Sequence, residues 1–236
     1  MTWPWLICFS ACGAAVLAAA TVTGQVELTN SRNAAARRHD YSGVVLWLEP
    51  AAGPLPKNLP PRHAEMKQRD KSFIPHVLAI PVGGTVDFPN LDPIYHNAFS
   101  NFAGTRFDVG LYAPGTTQSV AFRTVGIVRV FCNIHPTMSA IIAVVPTAWY
   151  DLTKASGKYA IAGVPAGDYQ LHIFHERALP ENLAFLQPRT ISVPEGGLAL
   201  PLISISETGF VPAPHLNKYG HAYPPEPHDG TYPGGK

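Results

Sequence analysis

The sequence predicts an all-β protein made of a larger β-sandwich and a smaller β module. Three observations carry that expectation. The 236 residues include 24 prolines and 20 glycines, set along the chain as turn punctuation. Apolar residues come in short runs bounded by those turns. No stretch keeps a helical period for more than a turn or two. Hydrophobic residues make up 46%, enough for a core, and the formal net charge is only +1. That balance argues against a nucleic-acid surface, which needs a basic excess.

The first element, residues 1–20 (MTWPWLICFSACGAAVLAAA), carries no charge and closes on Ala18, Ala19 and Ala20. It reads as a secretory signal peptide, with an uncleaved anchor as the rival reading. Its removal takes Cys8 and Cys12, leaves Cys132 as the single cysteine, and leaves no membrane span. One cysteine makes no internal disulfide, and a lone thiol in an oxidising compartment is a liability unless something such as a metal occupies it. The expected location is the periplasm.

Residues 21–60 follow. TVTGQVEL and SGVVLWLEP read as strands, and AAGPLPKNLPPRHAEM as a Pro-rich linker with a boundary near residue 60. Residues 61–146 form the sandwich. VLAIPVG and TVDFPNLD are strands joined at Gly83 and Gly84, VAFRTVGIVRVFC supplies two more around Gly126, and SAIIAVV closes the set. NAFSNFAGTRFDVGLYAPGTTQ is a loop-rich connection between them. Residues 147–207 hold GKYAIAGV, GDYQLHIFHE, RTISV and LALPLISIS, the strands of the smaller module. The N-terminal strands are expected to pair with strands after Thr147, which makes that module discontinuous. Residues 208–236, rich in His and Pro, lack hydrophobic periodicity and are expected to be disordered or draped on the surface.

The chemistry concentrates in VFCNIHPTMSAIIAVV. Cys132, His135 and Met138 stand two residues apart on a tight loop between two predicted strands. Thiolate and thioether are soft ligands and imidazole is borderline, a combination suited to copper. Two His, one Cys and a weak axial Met form the blue-copper set. The missing imidazole is found in TVDFPNLDPIYHNAFS: His96 follows a predicted strand and a turn, and two loops at one end of a sandwich can meet. Zinc is the rival metal, but it prefers four strong donors and rarely uses Met.

With these pieces in hand, residues 65–146 resemble the cupredoxin family, and amicyanin-like or plastocyanin-like members in particular. The matching segments are FIPHVLAIPVGGTVDFPNLD, the His96 and Asn97 pair, FDVGLYAPGTTQSVAF and VGIVRVFCNIHPTM. The resemblance implies a Greek-key β-sandwich holding one type 1 copper. His96, Cys132 and His135 would be strong ligands, Met138 the axial one, and Asn97 the tie between the ligand loops. The arrangement is also similar to periplasmic methylamine utilization proteins carrying a carboxypeptidase-regulatory-like, transthyretin-like module. TVTGQVEL and SGKYAIAGVPAGDYQLHIFHE look like pieces of that module.

Other candidates carry less. His76 lies at a strand start and reads as a structural or exposed histidine, while His63 and Met66 flank the linker and have no convergent partner. His172 and His175 lie three apart on a strand, which points them to opposite faces, and Glu176 follows them. His215, His221 and His228 lie in the tail, where a solvated role is expected. No nucleophilic triad, phosphate loop or second His cluster is visible, so no enzyme activity is expected. The function expected is one-electron transfer to a redox protein partner, with the ring edge of His135 as the exit and Pro136 in the docking patch. Copper delivery, and carbohydrate or protein binding by the small module, are the alternatives.

Overall fold

The computed structural model describes residues 19–57, 59–60, 62–101, 105–186, 188–212 and 214–224. Most of the expected signal peptide, with Cys8 and Cys12, lies outside them, as does His228. Ala20 already belongs to the first strand.

In chain order the elements are β1 (Ala20–Thr29), α1 (Ala34–Arg37), β2 (Val45–Pro50), β3 (His63–Glu65), β4 (Lys67–Arg69), β5 (Ser72–Ile74) and β6 (Val77–Pro81). There follow β7 (Thr85–Pro89), β8 (Phe99–Ser100), β9 (Phe107–Asp108), β10 (Thr117–Ala121), β11 (Gly126–Phe131) and β12 (Ser139–Val145). The last are β13 (Tyr150–Leu152), β14 (Lys158–Val164), β15 (Gly167–Phe174), α2 (Pro180–Leu183), β16 (Arg189–Val193), β17 (Leu198–Ala199) and β18 (Ile203–Ser206). The fold is all-β, with two single-turn helices among the described residues.

The strands form two β modules. In the first, one sheet runs β6-β12-β11-β8-β9 and faces a second sheet, β10-β7-β3, with β4 and β5 paired beside it. Met66, Phe88, Phe122, Val130, Cys132, Met138 and Ile142 share the core between them. The β6–β7 turn needs both its glycines. Gly83 has φ +90, and a Cβ on Gly84 would lie 2.5 Å from the Ile80 side chain. Within the loop-rich 97–118 connection, β8 and β9 pair with each other and extend the larger sheet.

In the second module β1 pairs with β14, β17 and β18, while β2 lies between β13 and β15. Chain segments about 130 residues apart thus build one unit around Val22, Val26, Leu46, Leu48, Ile161, Leu171 and Ile205. Gly24 is one place where the two chain halves approach closely. A Cβ there would sit 2.3 Å from the Tyr159 hydroxyl.

The unbroken apolar run of β12 has a direct cause: both of its faces are covered. Ala140, Ile142 and Val144 face the first core. Ala143 and Val145 join Val45 and Ala79 in a separate cluster against the second module. A strand buried on two sides reads as continuous hydrophobicity rather than alternation. At the edge of this contact His76 Nε2 meets Glu176 Oε2 at 2.6 Å.

Of the two arrangements expected for the tail, disordered or draped on the surface, residues 214–224 show the draped one, against the first module, while residues 208–212 stay beside the second, where the Asn182 side chain donates to the Thr208 carbonyl. Long-range contacts place residues 214–224: Lys218 N–H donates to Asn133 Oδ1, and Tyr223 O–H donates to the Cys132 carbonyl. A segment without periodicity can be held by such individual polar contacts, which leave no pattern in the sequence.

Candidate metal centre

Two loops at one end of the first module carry the donors. The 132–138 loop joins β11 to β12, whose last paired residues are Phe131 and Ser139. Cys132 N–H donates to the Met138 carbonyl at 3.2 Å and Met138 N–H to the His135 carbonyl at 3.1 Å. The loop is therefore closed by its own backbone, and its side chains have little room to re-aim.

His96 comes from the loop between β7 and β8. Its backbone pairs with that of Tyr112 in both directions, at 3.2 and 2.9 Å. Asn90 supports the turn beneath it, donating to the Ile94 carbonyl and accepting from Asp92 N–H. Topology thus delivers an imidazole to a cysteine 36 positions away.

Three donor atoms converge. His96 Nδ1 and His135 Nδ1 are 3.1 Å apart, Cys132 Sγ is 3.5 Å from His135 Nδ1, and Sγ is 4.0 Å from His96 Nδ1. The point equidistant from the corners of that triangle lies about 2.1 Å from each, the length of a metal–imidazole bond and about 0.2 Å short of a metal–thiolate one. The donor set therefore fits one metal ion. His96, Cys132 and Met138 are fully buried and His135 is 2% exposed. Met138 belongs to the same core cluster as Cys132.

The surroundings prepare the donors. Asp92 accepts from His96 Nε2 at 2.7 Å and from the N–H groups of Asp70 and Lys71 at 2.6 and 3.0 Å. Burial works to raise the Asp92 carboxyl, but the hydrogen bonds from Lys71, His96 and Asp70 hold it below its usual range. Burial lowers His96 against the opposing pull of Asp92. A neutral His96 donating through Nε2 leaves Nδ1 as a free lone pair aimed at the centre. Burial, with His96 and Lys71 nearby, pushes His135 down to about 4, so it too is neutral. The Cys132 thiol is pushed up by burial, while N–H groups of Ile134, Asn97 and His135 act in the other direction and favour its anion.

Asn97 ties the loops in a divided way. Its backbone reaches the cysteine. Its side chain instead donates to Asp108 Oδ1 at 2.7 Å and the Gly110 carbonyl at 2.8 Å. Behind it, Gln68 Nε2 donates to the Asn97 carbonyl at 3.1 Å, and Tyr112 O–H donates to Gln68 Oε1 at 2.7 Å. Gln68 and Asp92 were not singled out from sequence. The DP turn before His96 offered a signal for Asp92; KQRD offers none for Gln68.

The His135 ring edge does not reach the surface as expected. The ring is buried, and Pro136 is only partly exposed, with His215 against its backbone. The remaining candidates lie elsewhere. His63 approaches Asp87 at 3.5 Å on the surface, and Met66 is a core residue. His172 stacks on Trp47 with centroids 5.1 Å apart. His175 is buried against Glu207 at 2.7 Å. Among the described residues, His96, Cys132 and His135 form the one group of His, Cys, Asp and Glu side chains placed to hold a metal.

No protein-family model matches the chain, and no curated protein matches it. Several solved structures are similar over part of it. A purple cupredoxin from Nitrosopumilus maritimus is 24% identical over 35% of this chain and 99% of its own, with TM-score 0.32. A Cu-containing nitrite reductase from Thermus scotoductus SA-01 is 31% identical over 41% of this chain, TM-score 0.35, and the match spans 25% of that enzyme. A reduced mutant form of amicyanin is 19% identical over 34% of this chain and 80% of its own, TM-score 0.33. Among the described residues no helix is long and apolar enough to cross a membrane.

Proposed function

We propose that this chain is an exported, periplasmic type 1 copper protein that carries single electrons between redox partners. The carrying observation is the buried Nδ1, Nδ1, Sγ triangle with sides of 3.1, 3.5 and 4.0 Å. His96, Cys132 and His135 would hold the ion, with Met138 as the axial ligand. Copper held there supplies a one-electron couple between Cu(I) and Cu(II).

The chain's own part is to keep that site dry and still. Asp92 fixes the tautomer and aim of His96. The N–H groups of Ile134, Asn97 and His135 support a thiolate at Cys132. The closed loop between β11 and β12 limits rearrangement between charge states, which favours rapid transfer. All four donors are enclosed, which leaves no open position for a substrate and supports a carrier rather than an enzyme.

The test is the optical and EPR spectrum after Cu(II) addition to the chain and to Cys132→Ser. The expected result is an intense thiolate-to-copper band in the first and none in the second. A chain that stays colourless with Cu(II) ends the proposal.

A further inference from the structure

After β18 the chain leaves the second module. Gly209, at φ +84, packs so closely that a Cβ would lie 2.8 Å from Leu179 Cδ1. Residues 214–224 then lie on the loops around the candidate centre. Three side chains hold them there. The His215 ring stacks on Phe131, centroids 4.2 Å apart and planes at 26°. Lys218 donates through its backbone to Asn133 Oδ1 at 2.9 Å and through Nζ to Asp108 Oδ2 at 2.6 Å, and its carbonyl accepts from Asn101 at 3.3 Å. Tyr223 O–H donates to the Cys132 carbonyl at 2.7 Å and stands 3.2 Å from His215 Nδ1.

Two of these contacts grip consecutive residues of the ligand loop, Cys132 and Asn133. The segment is also pre-shaped. Asn217 Oδ1 accepts from the N–H groups of Tyr219 and His221, and the Asn217 carbonyl accepts from Gly220 N–H. No described residue from 207 to 224 belongs to a strand, so the segment can leave without opening a sheet. Meanwhile every donor atom of the centre belongs to a side chain buried to 2% exposure or less. An ion of any kind needs a route in.

We propose that residues 214–224 are a hinged cover over the metal centre, latched by His215, Lys218 and Tyr223. The cover lifts to admit the ion and to let a redox partner reach His135. The identity of that ion rests on the copper reading above; the cover itself rests on the contacts.

The experiment uses the full chain with Cys8 and Cys12 replaced by Ser, so that Cys132 is the single thiol. Its reaction with dithiobis(nitrobenzoate) is timed in the metal-free protein, and Cu(II) uptake is timed separately. Tyr223→Phe removes one donor and keeps the ring; Lys218→Ala removes the ion pair. Each lost latch raises the open population roughly three- to tenfold, so the double variant labels about ninefold to a hundredfold faster, with Tm and far-UV CD nearly unchanged. Salt should speed labelling of the parent chain but not of Lys218→Ala, since it screens the Lys218–Asp108 pair. Labelling and uptake rates that stay the same in the double variant overturn the cover. Faster labelling with no thiolate–copper band in any variant keeps the cover and removes copper. A normal band with unchanged rates does the reverse.

Discussion

Asp92 gives the sharpest quantitative handle on the centre. Three donors, the N–H groups of Asp70 and Lys71 and the Nε2–H of His96, converge on its two oxygens. Asp92→Asn keeps the shape but supplies one oxygen and one NH2 group. The NH2 faces at least one of the three N–H donors, so at least one bond is lost and the charge that oriented His96 disappears. Loss of such an outer partner lowers metal affinity by about 10- to 100-fold. In free energy that is about 1.4–2.7 kcal/mol. The metal-free chain should lose roughly 1–3 kcal/mol of stability as well, because a buried N–H is left without its acceptor. Competition titration against a chelator, beside urea unfolding of the metal-free protein, separates the two effects. Asp87→Asn, at a surface Ser119 contact on β7, is the control and should leave affinity unchanged. Copper affinity within twofold of the parent chain, with stability lowered, would reduce Asp92 to a clamp on the 70–71 turn and refute its role in presenting His96.

Three further outcomes are expected. Met138→Leu conserves volume in the core and should cost less than about 1.5 kcal/mol of stability; the thiolate band should persist while the reduction potential and EPR parameters shift, and an unchanged potential would remove Met138 from the ligand set. In the metal-free chain, His135 titrates at about 4 when folded against 6.5 for a free imidazole. The unfolded chain therefore takes up the proton first, and stability should drop on the order of 2–3 kcal/mol as pH falls from about 6.5 to 4. Urea midpoints at the two ends should show the drop, and His135→Gln should flatten it; an equal drop in the variant counts against the assignment. At the contact between modules, the hydrogen bond to Glu176 raises His76 despite opposing burial, and Glu176 is held low by His76 against its own burial. Stabilisation by this pair is complete below the ordinary His value and fades as pH climbs through the raised one. The parent chain should exceed His76→Gln in urea midpoint at about pH 5.5 and match it at about pH 9; a gap that persists at the alkaline end would mean that the contact is not an ion pair.

Much of this protein was legible in its residues because the signals are local. The strand runs VLAIP, TVDFP, GIVRVF and SAIIAVV become β6, β7, β11 and β12. The C-x2-H-x2-M spacing is itself a loop length, so the order of donors between two strands follows from the chain alone. His96 was recoverable because it follows a predicted strand and a turn.

Tertiary structure decided the rest, and for one physical reason: the deciding contacts join residues that share no local pattern. Gln68 supports Asn97 from a polar segment whose pairing no alternation announces. Residues 214–224 of the tail are placed by single hydrogen bonds to Asn133 and Cys132, reaching back 85 and 91 positions. His135 is buried although such a loop would ordinarily leave its edge in solvent. Donor identity and strand pattern were properties of sequence. The aim of each nitrogen, its protonation and its isolation from water arise only when distant segments are packed around it.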